Sequence, residues 1–179
     1  MDRSEFIRVF EQTLLPHRSA AYNLARWLTR DPHNAEDVVQ EAYLRALRYF
    51  DRYQGGDSRA WLLAIVRNTA YSWLEANRPA ELSVEFDEHN PKQSNQMEAS
   101  TPETMLLRST AGEGLKRALE DLPVQWREVF VMRELDELSY REIAGIANIP
   151  MGTVMSRLAR ARKRLHEALG QLHSAEASR

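Results

Sequence analysis

The sequence predicts an all-α protein of two small helical domains joined by a flexible acidic linker. Apolar residues recur at helical spacing on either side of the middle of the chain, which indicates two sets of amphipathic helices. The charges are distributed unevenly. Residues 79–104 carry six acidic side chains and one basic side chain, whereas residues 1–78 carry 10 acidic and 11 basic side chains. A chain of 179 residues, 43% of them hydrophobic, has room for one large domain or two small ones.

The N-terminal part is predicted to be a bundle of three or four helices. Capping and periodicity place them at about Ser4 to Thr29, with Pro16 where a second segment begins, at Asn34 to about Phe50, and at Ser58 to about Asn77. Asn34 and Ser58 are the expected caps of the last two, because short polar side chains accept hydrogen bonds from the free amides of a first turn.

The helix predicted from Asn34 has two faces. Four residues form a stripe that we expect to be buried: Val39, Tyr43, Ala46 and Phe50. Three polar residues share another side of the helix, because steps of three and four residues return to one side: Asp37, Gln40 and Glu41. The sequence therefore predicts a distinct polar surface on this helix.

The segment YQGGDSRAW interrupts the helices with two adjacent glycines and leads into an aromatic-rich helix. Aromatic residues at helical spacing usually pack inside, so we expect most of Trp61, Tyr71 and Trp73 in the core. Rings exposed beside Arg59 or Arg67 would instead suit single-stranded DNA, because bases stack on aromatic rings and phosphates attract cations. Spacing alone leaves both interpretations open.

The middle of the chain, PAELSVEFDEHNPKQSNQMEASTPE, contains three prolines, no glycine and few large apolar residues. Such a segment buries too little surface to offset the entropy of ordering it. We predict a flexible linker over residues 79–104. The alternative is a long surface loop, although a loop of this length without structure is unusual inside a compact domain.

The stretch LSYREIAGIANIPMGTVMSRLARARKRL, residues 138–165, predicts two helices joined by a tight turn. Ser139 and Glu142 form a capping box, and Leu138 can pack on Ile143. Asn148 and Pro150 then end the first helix, because proline disfavours helical geometry in the residue before it.

The second helix of this stretch opens at Gly152 and Thr153 and is amphipathic. Its apolar face is formed by Val154, Leu158, Ala161 and Leu165. Its other face holds Ser156, Arg157, Arg160 and Lys163. Five basic and no acidic residues fall between positions 152 and 164, which favours a helix-turn-helix that reads a DNA groove. A basic face that only meets solvent is the alternative.

Several classes of protein are disfavoured by the composition. The chain has no cysteine, no apolar run long enough to cross a bilayer, and a start too charged for a secretory signal, so we expect a cytoplasmic protein with no direct membrane insertion. The five histidines are scattered, and the sequence has no Glu-x-x-His pair, phosphate loop or zinc-ligand spacing. We therefore expect no catalytic residues, metal, cofactor or small-molecule substrate.

Three segments together resemble the bacterial RNA polymerase sigma factors of the sigma-70 family, extracytoplasmic-function subgroup (group 4). They are NAEDVVQEAYLRALRYF, GGDSRAWLLAIVRNTAYSWL and ALEDLPVQWREVFVMRELDELSYREIAGIANIPMGTVMSRLARARKRL, and their order also matches. The resemblance implies a sigma-2 domain at 1–78, a linker at 79–104, a sigma-4 domain at 105–173 and a disordered tail at 174–179.

The resemblance also implies three binding surfaces. The residues matching the core polymerase contact are Asp37, Gln40 and Glu41. Those matching the part that holds the melted minus-10 element are Tyr53, Arg59, Trp61, Arg67 and Asn68. Those matching the minus-35 reader are Thr153, Met155, Ser156, Arg157, Arg160 and Lys163. Arg162, Lys163 and Arg164, further along the helix, are expected to meet mostly phosphates or solvent. Met155 stands where relatives often carry lysine or arginine, which makes the minus-35 sequence hard to infer.

The resemblance implies an alternative sigma factor that binds core RNA polymerase and promoter DNA and is controlled by an anti-sigma factor. A helix-turn-helix regulator that binds an operator without polymerase would explain the C-terminal half alone. An all-helical enzyme is less consistent with the scattered histidines. Dependence of DNA recognition on core polymerase discriminates between the first two interpretations.

Overall fold

The computed structural model describes residues 2–82 and 111–178, and within them every regular element is a helix. The N-terminal unit, residues 2–82, contains α1 (Arg3–Leu14), α2 (Arg18–Thr29), α3 (Pro32–Tyr49), α4 (Ser58–Asn77) and the short α5 (Pro79–Leu82). The C-terminal unit, residues 111–178, contains α6 (Ala111–Glu120), α7 (Val124–Phe130), α8 (Tyr140–Ala147) and α9 (Met151–Ala177). The prediction of an all-α protein with two helical domains is confirmed.

Two helix caps differ from the predicted ones. Asp31, not Asn34, caps α3: its carboxylate accepts a hydrogen bond from the Asn34 amide at 2.9 Å, and proline follows at the first helical position. Asp57, not Ser58, caps α4 by accepting from the Ala60 amide at 3.0 Å. In both cases an aspartate stood before the predicted cap, and its ionised side chain bonds the amides of the first turn more strongly.

The core of the N-terminal unit lies between α2, α3 and α4, with α1 packed across it. The predicted stripe on α3 is confirmed, with Val39, Ala46 and Phe50 buried and Tyr43 half-buried. Phe50 is the centre of an aromatic cluster, where it meets Phe10 edge to face at 5.2 Å between ring centroids. This cluster holds the end of α3 against α1.

The helix-turn-helix of the C-terminal unit forms as predicted. Both hydrogen bonds of the capping box are present between Ser139 and Glu142, and α8 ends at Asn148 with a left-handed φ of 53°. A π-helical segment, Val131–Leu135, precedes it. The apolar face of α9 is buried at all four predicted positions.

The chain departs from the predicted domain limits in two places. Residues 79–82, predicted as linker, form α5, and the rest of the predicted linker, 83–104, lies outside the described residues, as do 105–110. The tail predicted to be disordered is helical as far as Ala177, where Ser174 Oγ bonds the Gly170 carbonyl at 2.9 Å. Alanine, leucine, glutamine and glutamate favour helix, which explains this extension of α9.

The two units pack against each other. Helix α4 lies against α8 and α2 lies against α7, and buried residues of both units belong to one hydrophobic cluster. Trp27 of α2 packs on the smaller cluster, which is formed by α6, α9 and Leu122 of the turn between α6 and α7. One side of α4 therefore faces the C-terminal unit rather than open solvent.

Candidate nucleic-acid interface

The predicted groove-reading residues lie within the first thirteen residues of α9, outside its fully buried stripe. Met155 is 48% exposed and Lys163 is exposed, while Thr153, Arg157 and Arg160 are half-buried. The half-buried Ser156 donates a hydrogen bond from Oγ to the Thr153 carbonyl at 3.1 Å. The structure thus brings all six predicted residues together along one stretch of helix.

Arg162 differs from the expectation that it would meet phosphates or solvent. It donates to Glu134 Oε1 at 2.5 Å, which joins α9 to the π-helical segment. The hydrogen bond to Glu134 raises the pKa of the Arg162 guanidinium. Both side chains are 40% exposed or more, so this pair orients α9 more than it stabilises the fold.

The predicted docking face on α3 is exposed at Asp37, Gln40 and Glu41. Glu41 accepts a hydrogen bond from Arg45 Nε at 2.8 Å, one helical turn on, so part of its charge is already balanced. Gln40 also lines an open cleft of about 730 Å³ between α2 and α3. Leu44, 57% exposed one turn beyond Gln40, adds an apolar side chain to this face that the polar pattern did not reveal.

The glycine-bearing loop has a backbone that requires glycine. Gly55 and Gly56 adopt φ values of 85° and 96°, a region that side chains rarely tolerate. The Tyr53 hydroxyl closes the loop by donating to the Gly56 carbonyl at 2.7 Å. This bond fixes the start of α4 relative to the loop.

The predicted minus-10 residues are divided among three environments. Tyr53 and Trp61 are half-buried and lie tilted against each other at 5.2 Å, both in contact with Phe50. Asn68 is exposed. Arg59 and Arg67 instead bond the C-terminal unit. The structure therefore leaves only part of this predicted surface open.

Arg67 forms a bidentate ion pair with Glu128 of α7. Its Nε and Nη2 donate to the two carboxylate oxygens at 2.8 and 3.1 Å, and the Glu128 side chain is fully buried. The guanidinium also lies over the Tyr71 ring, 4.0 Å from its centroid. Burial opposes the charged form of Arg67, but the Glu128 carboxylate outweighs it and raises the arginine pKa. Burial, reinforced by Glu128, raises the pKa of the Tyr71 hydroxyl.

Asp136, at the end of the π-helical segment, forms a second contact between the units. Its Oδ1 accepts from the Asn23 amide at 3.1 Å, and its backbone carbonyl accepts from Arg59 Nη2 at 2.7 Å. The residue is 7% exposed. Burial raises the pKa of its carboxyl, while the Asn23 hydrogen bond and the Arg59 charge act in the opposite direction.

A third contact joins the short α5 to both units. Glu81 pairs with Arg30 of α2, and its second oxygen lies 3.6 Å from Arg127 Nη2 of α7. The Arg127 side chain is 1% exposed and donates to the Glu120 and Leu122 carbonyls at 2.7 and 2.9 Å. Burial lowers the pKa of Arg127 to about 10, so it remains charged at neutral pH.

Glu128, Asp136 and Arg127 were not predicted as functional candidates from the sequence. All three stand in or next to the mostly apolar run PVQWREVFVMRELDEL, where charged residues are expected to face solvent. The sequence does offer one indication of such residues: they are charged residues at positions where helical periodicity predicts a buried side chain. Their partners lie far away in the chain, so spacing could not identify them.

Residues 2–82 and 111–178 contain no group of three or more histidine, cysteine, aspartate or glutamate side chains that could hold a metal ion. In the same ranges no helix is both long and apolar enough to cross a membrane.

Comparison with known proteins gives matches to both units. Residues 14–79 match the family model described as Sigma-70 region 2, and residues 113–165 match the one described as Sigma-70, region 4. The Escherichia coli K12 protein named ECF RNA polymerase sigma-E factor is 40% identical over 132 residues, covering 71% of this chain and 69% of that protein. The Mycolicibacterium smegmatis protein named ECF RNA polymerase sigma factor SigE is 31% identical over 170 residues, covering 93% of this chain and 63% of that protein.

Two solved structures share the fold. The Bartonella quintana sigma factor RpoE, solved in complex with the anti-sigma factor NepR, has a TM-score of 0.69 and 29% identity, covering 91% of this chain and 98% of that one. CnrH, solved in complex with the cytosolic domain of CnrY, has a TM-score of 0.62 at 24% identity, covering 91% of this chain and 88% of that one, and supports the fold alone.

Proposed function

The chain belongs to the extracytoplasmic-function subgroup of the sigma-70 family, and we propose on that premise that it is an alternative sigma factor that directs core RNA polymerase to specific promoters. The observation that carries this proposal is the presence of two sigma-70 regions, in order, on two helical units. A pure operator-binding regulator would need only the second of them. The matched segment spans about two thirds of its relatives' length, so the activity and partners of the whole protein are proposed here.

We assign residues 1–78 to the sigma-2 domain and 105–173 to the sigma-4 domain. In the first, Asp37, Gln40 and Glu41 are the proposed contact with core polymerase. Their common exposure on α3 supports this role, because a docking face must be free of the protein's own core. The exposed Leu44 beside them would add the apolar burial that polar contacts lack.

Promoter recognition is assigned to the two surfaces predicted from the sequence. For the minus-35 element, the exposure of Met155 and Lys163 supports insertion of α9 into the major groove, where Arg157 and Arg160 would contact base edges or phosphates. Met155 would offer an apolar contact to a thymine methyl group. For the minus-10 element, the proposed residues are Tyr53, Arg59, Trp61, Arg67 and Asn68.

An anti-sigma factor is the proposed regulatory partner. The Bartonella quintana structure, whose chain this protein matches over 98% of its length, contains a sigma factor bound to an anti-sigma factor. We further propose that the protein acts in the cytoplasm, where core polymerase and DNA are found, and that it performs no catalysis itself.

Run-off transcription tests the proposal directly. Purified chain, core polymerase and a library of promoter fragments should yield transcripts from a subset of sequences, and core polymerase alone should yield none of them. DNA retention by the chain alone gives the control for the operator-binding alternative. Sequence-selective binding as a dimer without polymerase, together with absent transcription, would favour the regulator instead.

A further inference from the structure

We propose that Glu134 limits how strongly α9 binds the DNA backbone, because it holds Arg162 in an ion pair and so keeps that arginine from the phosphates. This role rests on the proposed function, since it requires α9 to enter the major groove of a promoter. Both members of the pair belong to the C-terminal unit. One of the five basic residues at positions 152–164 thus has a partner within the protein itself.

Arg162 lies on the same side of α9 as two exposed methionines. It follows Met155 by seven residues and Met151 by eleven, which correspond closely to two and three turns of an α-helix. Met151 and Met155 are 43% and 48% exposed, and the Arg162 side chain is 48% exposed. In a duplex that α9 enters, a cation on this side of the helix has access to phosphates unless another group holds it.

Glu134 holds Arg162 by a charge-assisted hydrogen bond. Arg162 Nη2 donates to Glu134 Oε1 at 2.5 Å. Hydrogen bonding to Glu134 raises the pKa of the guanidinium, and Tyr140 acts in the same direction. The pair is neutral as a whole, and the N–H group bonded to the carboxylate is not available to a phosphate.

The π-helical segment Val131–Leu135 places Glu134 beside α9. Such turns are rare and are found frequently at functional sites. Arg133, the residue before Glu134, donates to the Leu138 carbonyl at 2.9 Å and lies over the Tyr140 ring, 5.0 Å from its centroid. These contacts fix the backbone that carries Glu134, so the fold itself keeps the carboxylate close to α9.

The pair is exposed, yet DNA gains little by breaking it. Exposed ion pairs are weak in isolation. If Arg162 turned to a phosphate, however, Glu134 would remain as an unpaired carboxylate beside the charged backbone. Like charges repel over a screening length of about 10 Å at 0.1 M salt. The exchange replaces one attraction by another and adds a repulsion, so the pair is kept.

The consequence of the pair is a lower affinity for DNA of every sequence. Each neutralised phosphate steepens the slope of log affinity against log salt by about 0.9. Contacts to phosphates carry no sequence information, whereas contacts to base edges do. When affinity for all sequences is too high, strong and weak promoters are both saturated, and occupancy no longer distinguishes them. Withholding Arg162 keeps occupancy dependent on the bases.

The test measures the salt dependence of DNA binding by holoenzyme, assembled from the full chain and core polymerase. One DNA is a promoter fragment selected in the run-off assay, and the other is the same fragment with a scrambled minus-35 element. Both fragments keep the downstream part of the promoter, so core polymerase contributes equally to both and to every variant. The affinity for each fragment is measured over a salt series.

Glu134→Gln is the test variant, because it removes the charge opposite Arg162 and keeps the size of the side chain. Glu137→Gln is the matched control: it removes the same charge three positions along, from an exposed side chain that makes no ion pair with the described residues. Arg162→Gln, alone and combined with Glu134→Gln, completes the set. Thermal unfolding identifies a variant that fails to fold, and Glu134→Ala then replaces Glu134→Gln.

Glu134→Gln should bind both fragments about five- to tenfold more tightly at 0.1 M salt, with a slope steeper by about one, because Arg162 then neutralises a phosphate. The ratio of the two affinities should stay unchanged, since the added contact reads no base. Glu137→Gln should leave the slope unchanged. Arg162→Gln should not flatten the slope of the wild-type chain, and in the Glu134→Gln chain it should cancel the gain.

Three results would overturn the proposal. The first is a slope for Glu134→Gln no steeper than that for Glu137→Gln. The second is a changed ratio of the two affinities at an unchanged slope, which would mean that the pair only orients α9. The third is a flatter slope for Arg162→Gln alone, which would mean that the arginine already contacts a phosphate.

Failure of the wild-type holoenzyme to prefer the intact fragment over the scrambled one would overturn the assigned function instead. The two failures are distinguishable, because that preference is measured without any variant, whereas the role of Glu134 is judged from differences between variants.

Discussion

Helices α9 and α4 both carry arginines assigned to DNA, yet the fold treats them differently. On α9 none of the assigned residues is fully buried, and Met155 and Lys163 are open to solvent. On α4, Arg59 and Arg67 are bonded to the opposite unit. Helical periodicity thus identifies a face of a helix, while the packing of other elements determines whether that face is available.

This difference predicts that removing an arginine from α4 lowers the stability of the free chain, whereas removing a basic residue from the exposed side of α9 does not. Arg67→Ala leaves Glu128 buried with no cation, which costs about 3–5 kcal/mol in the packed state. Thermal unfolding of the free chain should therefore shift to clearly lower temperature. Lys163→Ala on the exposed side of α9 is the control and should change the free energy of unfolding by less than about 0.5 kcal/mol. Equal effects of the two changes would erase the contrast between the helices.

Arg160→Ala tests whether the basic face of α9 contacts bases. If Arg160 pairs with a guanine, its removal should cost about 1–3 kcal/mol of discrimination at one minus-35 position. The measurement is holoenzyme binding to minus-35 variants, with the wild-type promoter and a variant altered outside the element as references. Uniform loss of affinity across all variants would assign Arg160 to the phosphates.

The acidic face of α3 provides a third surface for the comparison. Replacing Asp37 and Glu41 with lysine should weaken binding to core polymerase while the free energy of unfolding changes by less than about 0.5 kcal/mol per site, because both residues are exposed. Loss of the Glu41–Arg45 pair adds little, since exposed pairs contribute little. Polymerase affinity and thermal unfolding of the same preparation check both parts, and unfolding of the double variant would contradict the docking assignment.

Lys163→Ala has the smallest expected effect on promoter choice. If Lys163 neutralises a phosphate, its removal should lower the affinity for all sequences alike and reduce the slope of log affinity against log salt by about one. A salt series on holoenzyme with two promoters measures the slope. An unchanged slope would mean that this part of the basic helix meets only solvent.

The sequence by itself determined the elements that depend on neighbouring residues. The capping box at Ser139 and Glu142, the end of α8 before Pro150 and the buried face of α9 follow from short-range rules of capping and periodicity. The same rules located the exposed face of Asp37, Gln40 and Glu41. These rules placed two helix caps one to three residues too late, because another polar residue, Asp31 or Asp57, precedes the predicted cap and forms the hydrogen bond instead.

Which faces of these helices are covered depends on how the two units pack together in the tertiary structure. Glu128 lies 61 residues from Arg67 in the chain, and Asp136 lies 113 residues from Asn23. No local sequence pattern encodes such pairs, because a charged residue is predicted to be exposed unless its distant partner is known. Burial of Glu128 is tolerable only because α4 supplies an arginine with matching geometry, and that match exists only once the two units are packed together.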